Sequence, residues 1–423
     1  MTAEARVPPN HLIPNSATFE NSVLEKLAAE FGTPVFVYDF ELLTAAAEEL
    51  SGYLPDGSRI LYSVKANPSL AILRHLANLG MGFEVASIGE LRTLERAGIN
   101  PGSAIFVGPG KRPAEVTEAV ERDLGWMVID SPLEYARATA AAPVATHWPS
   151  LALRLNPGLS GNQRGMLHMA GSTPFGMTEP EAVDLLRAAT RPIEGFQGYL
   201  GTQLLDTDTI LANTALLIDV ASRLQKQTGA RFRFVDLGGG FGIAQYDRDT
   251  GLDGPRLRAG LQRLVDEYRR GHPWTEVIAF ESGRFLAARS GVLLCTVIDC
   301  KERDGELFVV LDGGMNAVGG RDGYAGARPM PLRLLSGGDQ SVLATFCGPL
   351  CTPMDRLAAR VLTPRPRPGQ IVAFFLAGAY AYSASPGLFL SHGYCAEVGV
   401  SHGRARLLRP RQNIDAMLDT QRV

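Results

Sequence analysis

A chain of 423 residues and 45.4 kDa exceeds the usual span of one domain, so two are expected. Its 41 Lys and Arg against 44 Asp and Glu give a net charge of −3, without the basic excess that a phosphate backbone demands, and nucleic acid is excluded as an expected partner. Residues 1–15 hold Glu4, Arg6 and three prolines where a secretory signal needs an apolar stretch, so a cytoplasmic location is the expectation.

The segment 1–36 contains no strand that a following α/β domain needs, and it is expected to cross over and pack on a second domain. From about residue 40, short β-branched and aromatic runs alternate with segments of helical period. The strand candidates are Ile60–Lys65, Gly82–Ala86, Ala104–Gly108, Trp126–Asp130, Leu151–Asn156, Phe196–Gly201, Arg233–Leu237 and Val277–Glu281. Between them lie amphipathic stretches such as Leu70, Leu73, Leu76 and Leu79, or Leu211, Leu216, Ile218 and Val220. Eight parallel strands with intervening helices over residues 37–285 predict an α/β fold of the (β/α)8 TIM-barrel kind, and a doubly wound open sheet accommodates the same alternation. After Arg284 the pattern turns to strand runs, Gly291–Asp299, Glu306–Leu311 and Gln370–Phe375, separated by Gly- and Pro-rich turns, which predicts a β-rich domain over residues 286–423.

The uncharged run Ile371–Leu390 has the length of a membrane span, but Gly378, Ser383, Ser385, Pro386 and Gly387 interrupt it. It is read as a buried strand and loop, and no membrane association is expected. Cys295, Cys300, Cys347, Cys351 and Cys395 are odd in number, which argues against a disulfide framework. Cys347 and Cys351 are spaced C-x3-C without a second Cys or His pair, so no metal site is expected.

In a barrel of this kind, function gathers at the C-terminal ends of the strands. The first candidate strand ends in Tyr62-Ser63-Val64-Lys65-Ala66-Asn67-Pro68, a lysine among apolar neighbours. Desolvation there lowers a lysine's pKa and lets its amine attack a carbonyl; standing alone, such a lysine more often snorkels to solvent. The seventh runs into Asp236-Leu237-Gly238-Gly239-Gly240-Phe241-Gly242, where consecutive glycines let N–H groups close around an anion such as a phosphate, or serve only a tight connection. The eighth ends in Glu281-Ser282-Gly283-Arg284. A carboxylate there suits a pyridine nitrogen, and Arg284 adds a cation near the phosphate; a surface Glu–Arg pair is the bland alternative. Lysine, anion cradle and carboxylate on neighbouring strand ends together describe a site for pyridoxal 5′-phosphate (PLP).

Seven segments in order, Tyr62–Pro68, Phe83–Ser87, Gly201–Gln203, Val235–Gly242, Glu281–Arg284, Cys347–Cys351 and Gly378–Tyr380, resemble the ornithine/diaminopimelate/arginine decarboxylase family, whose barrel is of the alanine-racemase type. The resemblance implies a PLP-dependent amino-acid decarboxylase in which Lys65 holds the cofactor as an imine and Glu281 pairs with the ring nitrogen. It places Gly238, Gly239, Gly240, Arg284, Thr202 and Tyr380 around the phosphate, and Glu84 and Gly283 at the cofactor. It also implies a homodimer in which Cys351 reaches across the interface and protonates Cα after CO2 leaves.

Two departures bear on the substrate. Tyr199 stands where decarboxylases of free basic amino acids usually have a His stacked on the cofactor ring. After Cys351 the chain reads Thr352-Pro353-Met354-Asp355, without the adjacent carboxylate that would pair with a distal ammonium. An unpaired buried ammonium costs several kcal/mol, which disfavours a free diamino acid, with Asp355, four residues on, as the alternative partner for such an ammonium. These features are similar to the subgroup that decarboxylates glutamyl groups tethered to an acyl carrier protein, which implies a biosynthetic role in secondary metabolism. Arg164 and His168, in the loop Pro157–Pro174, are candidates to border the substrate channel, Arg164 as a carboxylate partner or a solvated loop residue. A free diamino acid as substrate, racemisation on the same barrel, and a non-catalytic relative remain the alternatives.

Overall fold

The computed structural model describes residues 6–140, 148–157, 173–318, 330–337 and 340–422. Two compact units form: one from residues up to Ala46, Ala244–Asp249 and Leu286 onward, the other from Ala47–Ile243 and Thr250–Phe285. The first strand, β1 (Val35–Asp39), is buried throughout and pairs with strands from the end of the chain, which draws residues as far as Ala46 out of the barrel unit. The barrel unit therefore starts at residue 47, where sequence patterning alone placed it at 37.

Eight strands follow: β2 (Arg59–Ser63), β3 (Gly82–Val85), β4 (Ala104–Phe106), β5 (Trp126–Ile129), β6 (Ser150–Leu155), β7 (Ile193–Gly198), β8 (Phe234–Asp236) and β9 (Val277–Ser282). They close a barrel in chain order, every pair parallel, and closure rules out the open sheet. Strands covered on both faces carry nearly continuous apolar runs, and those of β4 and β6 are buried almost throughout. Leu61, Ile105, Val107, Val128, Ala152, Phe234 and Ala279 fill the interior, with Trp126 stacked on Phe234 at 4.7 Å. Gly195 makes room for that indole, since a Cβ there would meet the Trp126 ring at 2.8 Å.

The helices between strands start on local signals. Ser87 caps Ile88–Arg96 by accepting from the Glu90 N–H, Thr178 and Glu181 close a capping box on Glu179–Ala188, and Asp206 caps Thr207–Thr228. That last helix stops at Gly229, whose φ of +76° suits glycine.

The other unit is a sheet of nine strands, completed by β10 (Gly291–Arg303), β11 (Glu306–Leu311), β12 (Leu332–Leu334), β13 (Ser341–Cys347), β14 (Arg356–Pro364), β15 (Ile371–Phe375), β16 (Ala396–Ser401) and β17 (Arg404–Arg409). Its order is β14-β13-β11-β10-β1-β16-β17, with β15 joining β10 to β12. Helix Asn21–Phe31 buries Leu24, Leu27 and Ala28 against Val35, Val292 and Phe375. The uncharged run from Ile371 holds β15 and then breaks into turns, and among the described residues no helix is long and apolar enough to cross a membrane.

Candidate active site

Strand register sets a belt of polar side chains near the C-terminal end of the barrel. Ser63 lies beside Glu84, Arg154 beside Gln197, and Gln197 beside Asp236, while Glu281 stands two residues beyond the partner of Asp236 on β9. Lys65 sits just past β2 in the tight turn Val64–Ala66. Lys65, Glu84, Arg154, Gln197, Tyr199 and Glu281 face one cavity of about 400 Å³.

Val64 and Ala66 are buried, but the Lys65 side chain is 44% exposed, so the apolar neighbours do not desolvate it as the sequence suggested. Its Nζ donates to Glu84 Oε1 at 2.8 Å, and Tyr199 presents its ring 6.0 Å from the same nitrogen. Burial pushes the Glu84 carboxyl up, but the Lys65 charge and hydrogen bond, with Ser63 and Arg154, outweigh it and hold it below the ordinary carboxylate range. Gly283 brings the end of β9 against this turn, because a Cβ there would meet the Ala66 Cβ at 2.8 Å.

The glycines after β8 serve packing and leave donors free. A Cβ on Gly239 would overlap the Glu281 carbonyl oxygen, and one on Gly238 or Gly240 the carbonyls of Gly198 and Gly201. Gly238 and Gly240 also take φ values of +66° and +88°. Among the described residues the N–H groups of Gly239 and Gly240 have no protein acceptor, the condition an anion cradle requires. Gln203 ties the neighbouring Gly201–Thr202 turn to this segment, with Nε2 donating to the Ile243 carbonyl at 2.6 Å and Oε1 accepting the Ile243 N–H at 3.2 Å.

Three belt residues received no role from the sequence. Arg154 is 6% exposed, with its guanidinium 4.8 Å over the Phe175 ring. Gln197 and Asp236 are fully buried, and Gln197 Nε2 donates to Glu281 Oε1 at 2.9 Å. Each is a polar residue inside an otherwise apolar buried strand, and that was the signal available to find it.

Of the remaining sequence candidates, Arg284 opens the short helix Arg284–Ala287 just past β9 in the barrel unit, and the others belong to the β-rich unit or fall outside the described residues. Cys351 is exposed and unpaired, Thr352 is half-buried, and Tyr380 adopts a φ of +58°. Asp355 turns inward: it is 2% exposed and accepts the N–H groups of Met315 at 2.6 Å and Leu350 at 2.7 Å. Oδ1 thus ties the loop to Met315 and Oδ2 ties it to its own Leu350, and at this burial neither oxygen is open to a substrate ammonium. Arg164 and His168 lie outside the described residues.

Residues 42–288 match the family described as pyridoxal-dependent decarboxylase, pyridoxal binding domain. The chain belongs to the pyridoxal-dependent decarboxylases. As a member of that family it is a PLP-dependent carboxy-lyase, and its cavity size and the Lys65 and Glu281 that face it fit the cofactor, while Gly238, Gly239 and Gly240 are not among the residues lining that cavity. The decarboxylase is 30% identical over 415 residues to the L-glutamyl-[BtrI acyl-carrier protein] decarboxylase of Niallia circulans, covering 95% of this chain and 96% of that protein. It is 31% identical over 415 residues to the diaminopimelate decarboxylase of Zymomonas mobilis, with 96% of each covered. The crystal structure of Helicobacter pylori diaminopimelate decarboxylase complexed with L-lysine superposes with a TM-score of 0.84 at 25% identity, over 94% of this chain and 98% of that one.

Proposed function

We propose that this decarboxylase acts on an amino-acid group whose far end carries no ammonium, with a glutamyl group on an acyl carrier protein as the leading candidate. The observation that carries this is Asp355: the one carboxylate in the segment after Cys351 is committed to backbone N–H groups, so that segment offers a distal ammonium no anion. The resemblance to the Niallia circulans enzyme over nearly the whole chain supports the same substrate class and a biosynthetic role. A free diamino acid is the second reading, favoured by 31% identity to the Zymomonas mobilis enzyme.

In this reading Lys65 would hold PLP covalently, Glu281 would keep a proton on the ring nitrogen, and Gly238, Gly239, Gly240, Thr202, Arg284 and Tyr380 would receive the phosphate. Bound PLP supplies an electron sink for the pair left at Cα when CO2 departs. Glu84 orients the Lys65 amine through their hydrogen bond, and Tyr199 covers one side of the cavity. Cys351, contributed across a homodimer interface, delivers the proton to Cα.

The test is CO2 release by purified protein over free amino acids and glutamyl-carrier conjugates. The expected result is a kcat/KM at least ~100-fold higher for the glutamyl conjugate than for diaminopimelate, ornithine or lysine, the scale set by leaving a buried charge unpaired. A free diamino acid as the preferred substrate would overturn the assignment.

A further inference from the structure

The family reading uses Glu281 and stops there, but Glu281 has a buried neighbour. Asp236 is 0% exposed and Glu281 3%; Gln197, the register partner of Asp236 on β7, donates to Glu281, which stands two residues beyond the partner of Asp236 on β9, so the two buried carboxyls are neighbours on one face of the barrel wall. Two ionised carboxylates have no donor between them, so this contact is attractive only with one proton in it.

The surroundings decide which residue carries that proton. Gln197 Nε2 donates to Glu281 Oε1; burial and the Glu84 charge push the Glu281 carboxyl up, and two cations, Lys65 from the end of β2 and Arg154 from β6, pull against that and favour an anion there. Asp236 is less well served. Its Oδ1 accepts the Gly238 N–H at 2.9 Å, while its Oδ2 is buried with no donor among the described residues. The charged groups acting on it are carboxylates, Glu281 on β9 and Glu84 on β3, while β7 contributes the neutral Gln197.

We propose that Asp236 is held protonated and donates through Oδ2 to Glu281, so that it acts as the positioning residue that keeps Glu281 anionic and aimed into the cavity. Burial, followed by the Glu281 charge, pushes the Asp236 carboxyl well above the ordinary range, in the same direction as the geometry. On the cofactor reading, Glu281 then offers the ring nitrogen a single negative charge, braced from behind by Gln197 and Asp236. The proposal rests on that reading for its function but not for its test.

The folded protein holds a proton on Asp236 that the unfolded chain has released above pH ~4, so this group's stabilisation is lost as pH rises towards its folded-state pKa. Asp236→Asn keeps the size and offers an amide donor, but cannot titrate. Unfolding of the full-length cofactor-free protein is measured in urea from pH 5 to 8. The expected result is a ratio of unfolding constants, wild type over D236N, that climbs up to ~10-fold per pH unit. A flat ratio would overturn the proposal. If D236N does not fold, the infrared carbonyl band of a buried protonated carboxyl is read at pH 7 in the wild type and in Glu281→Gln: the band is expected in both, and displaced in E281Q, where the acceptor has changed. Absence of the band from the wild type, or an identical band position in E281Q, refutes the shared proton. PLP titration of the same samples is read separately; failure of the wild type to bind PLP defeats the cofactor assignment and leaves the pH result standing. Rescue completes the test, with D236N retaining PLP affinity within ~3-fold while Asp236→Ala, which supplies no donor, loses at least ~10-fold.

Discussion

The sharpest perturbation outside the chemistry is at Glu134, which with Lys111 forms an ion pair under the cavity wall. The side chains of Lys111 and Glu134 are 1% and 6% exposed. The Lys111 ammonium donates at 2.7 Å to Glu134 Oε1, the Gly108 carbonyl and the Val128 carbonyl, so all three of its protons are used. Glu134 Oε2 also accepts the Asp130 N–H at 3.1 Å. Glu134→Ala strands a buried ammonium, which costs about 3–5 kcal/mol, and frees a buried N–H. Lys111→Met is gentler, about 2–3 kcal/mol, because the carboxyl left behind is already pushed up by burial and can take a proton. The double variant Lys111→Met/Glu134→Leu removes both charges and leaves mainly unpaired carbonyls, a loss of about 2 kcal/mol, far below the sum of the singles. Urea unfolding followed by tryptophan fluorescence measures this selectively, since Trp126, Trp148 and Trp274 all belong to the barrel unit. A loss under about 1 kcal/mol in E134A, or additive singles, would refute the reasoning. Lys111 also pins the Gly108 carbonyl, and Gly108 to Lys111 line the cavity, so K111M should weaken PLP binding as well.

Two further outcomes follow from the site. Lys65→Ala should abolish CO2 release and the visible absorbance PLP acquires when a protein lysine holds it, and it leaves Glu84 buried without its nearest cation. Because the Glu84 carboxyl is held low in the folded state, its stabilisation is present above the unfolded pKa and lost as pH falls. K65A should therefore be about 1–2 kcal/mol less stable than wild type at pH 7, a figure discounted for the half-exposed lysine, and the gap should close below pH ~4. Gly239→Ala drives a Cβ into the Glu281 carbonyl, a backbone atom that cannot swing away. It should cost about 3 kcal/mol in urea unfolding and at least ~10-fold in PLP affinity by titration. Wild-type affinity in G239A would show that the cradle does not depend on this close approach.

Much of the architecture was legible because a parallel barrel writes itself as buried apolar runs at regular spacing. All eight strands fall where the β-branched and aromatic runs predicted them, within a few residues at each end. Lys65 and Glu281 stood out for a related reason, each a charged residue at the end of an apolar strand, whereas the three glycines are also demanded by the close approach of the Gly198, Gly201 and Glu281 carbonyls. What patterning missed depends on long-range pairing. Strand β1 reads as a short apolar run like any other, and only its register with β10 and β16 assigns it to the β-rich unit. Asp355 looked like a displaced substrate partner because spacing cannot show that Met315 and Leu350 turn their N–H groups onto it.

The belt residues explain why the strand-end motifs alone underdetermine the chemistry. Lys65 and Glu281 name a site, but their charge states depend on residues one or two positions inside neighbouring strands. Arg154 and Lys65 are the cations that bear on the Glu84 and Glu281 carboxyls, and Asp236 brings a third carboxyl into the same low-dielectric space. With Asp236 neutral, two cations face two anions and the belt balances before any ligand enters. With Asp236 ionised, a third buried negative charge would stand there uncompensated, at a cost that burial makes large. Balance also bears on how a phosphate would be held: with Asp236 neutral the charged belt has no net positive charge to offer, so on the proposed reading a phosphate would depend on the N–H groups of Gly239 and Gly240 and on the cation of Arg284 just past β9. Cofactor affinity should accordingly be more sensitive to backbone geometry at the glycines than to the removal of Arg154 or Glu84, the belt charges that are not proposed to bond the cofactor directly.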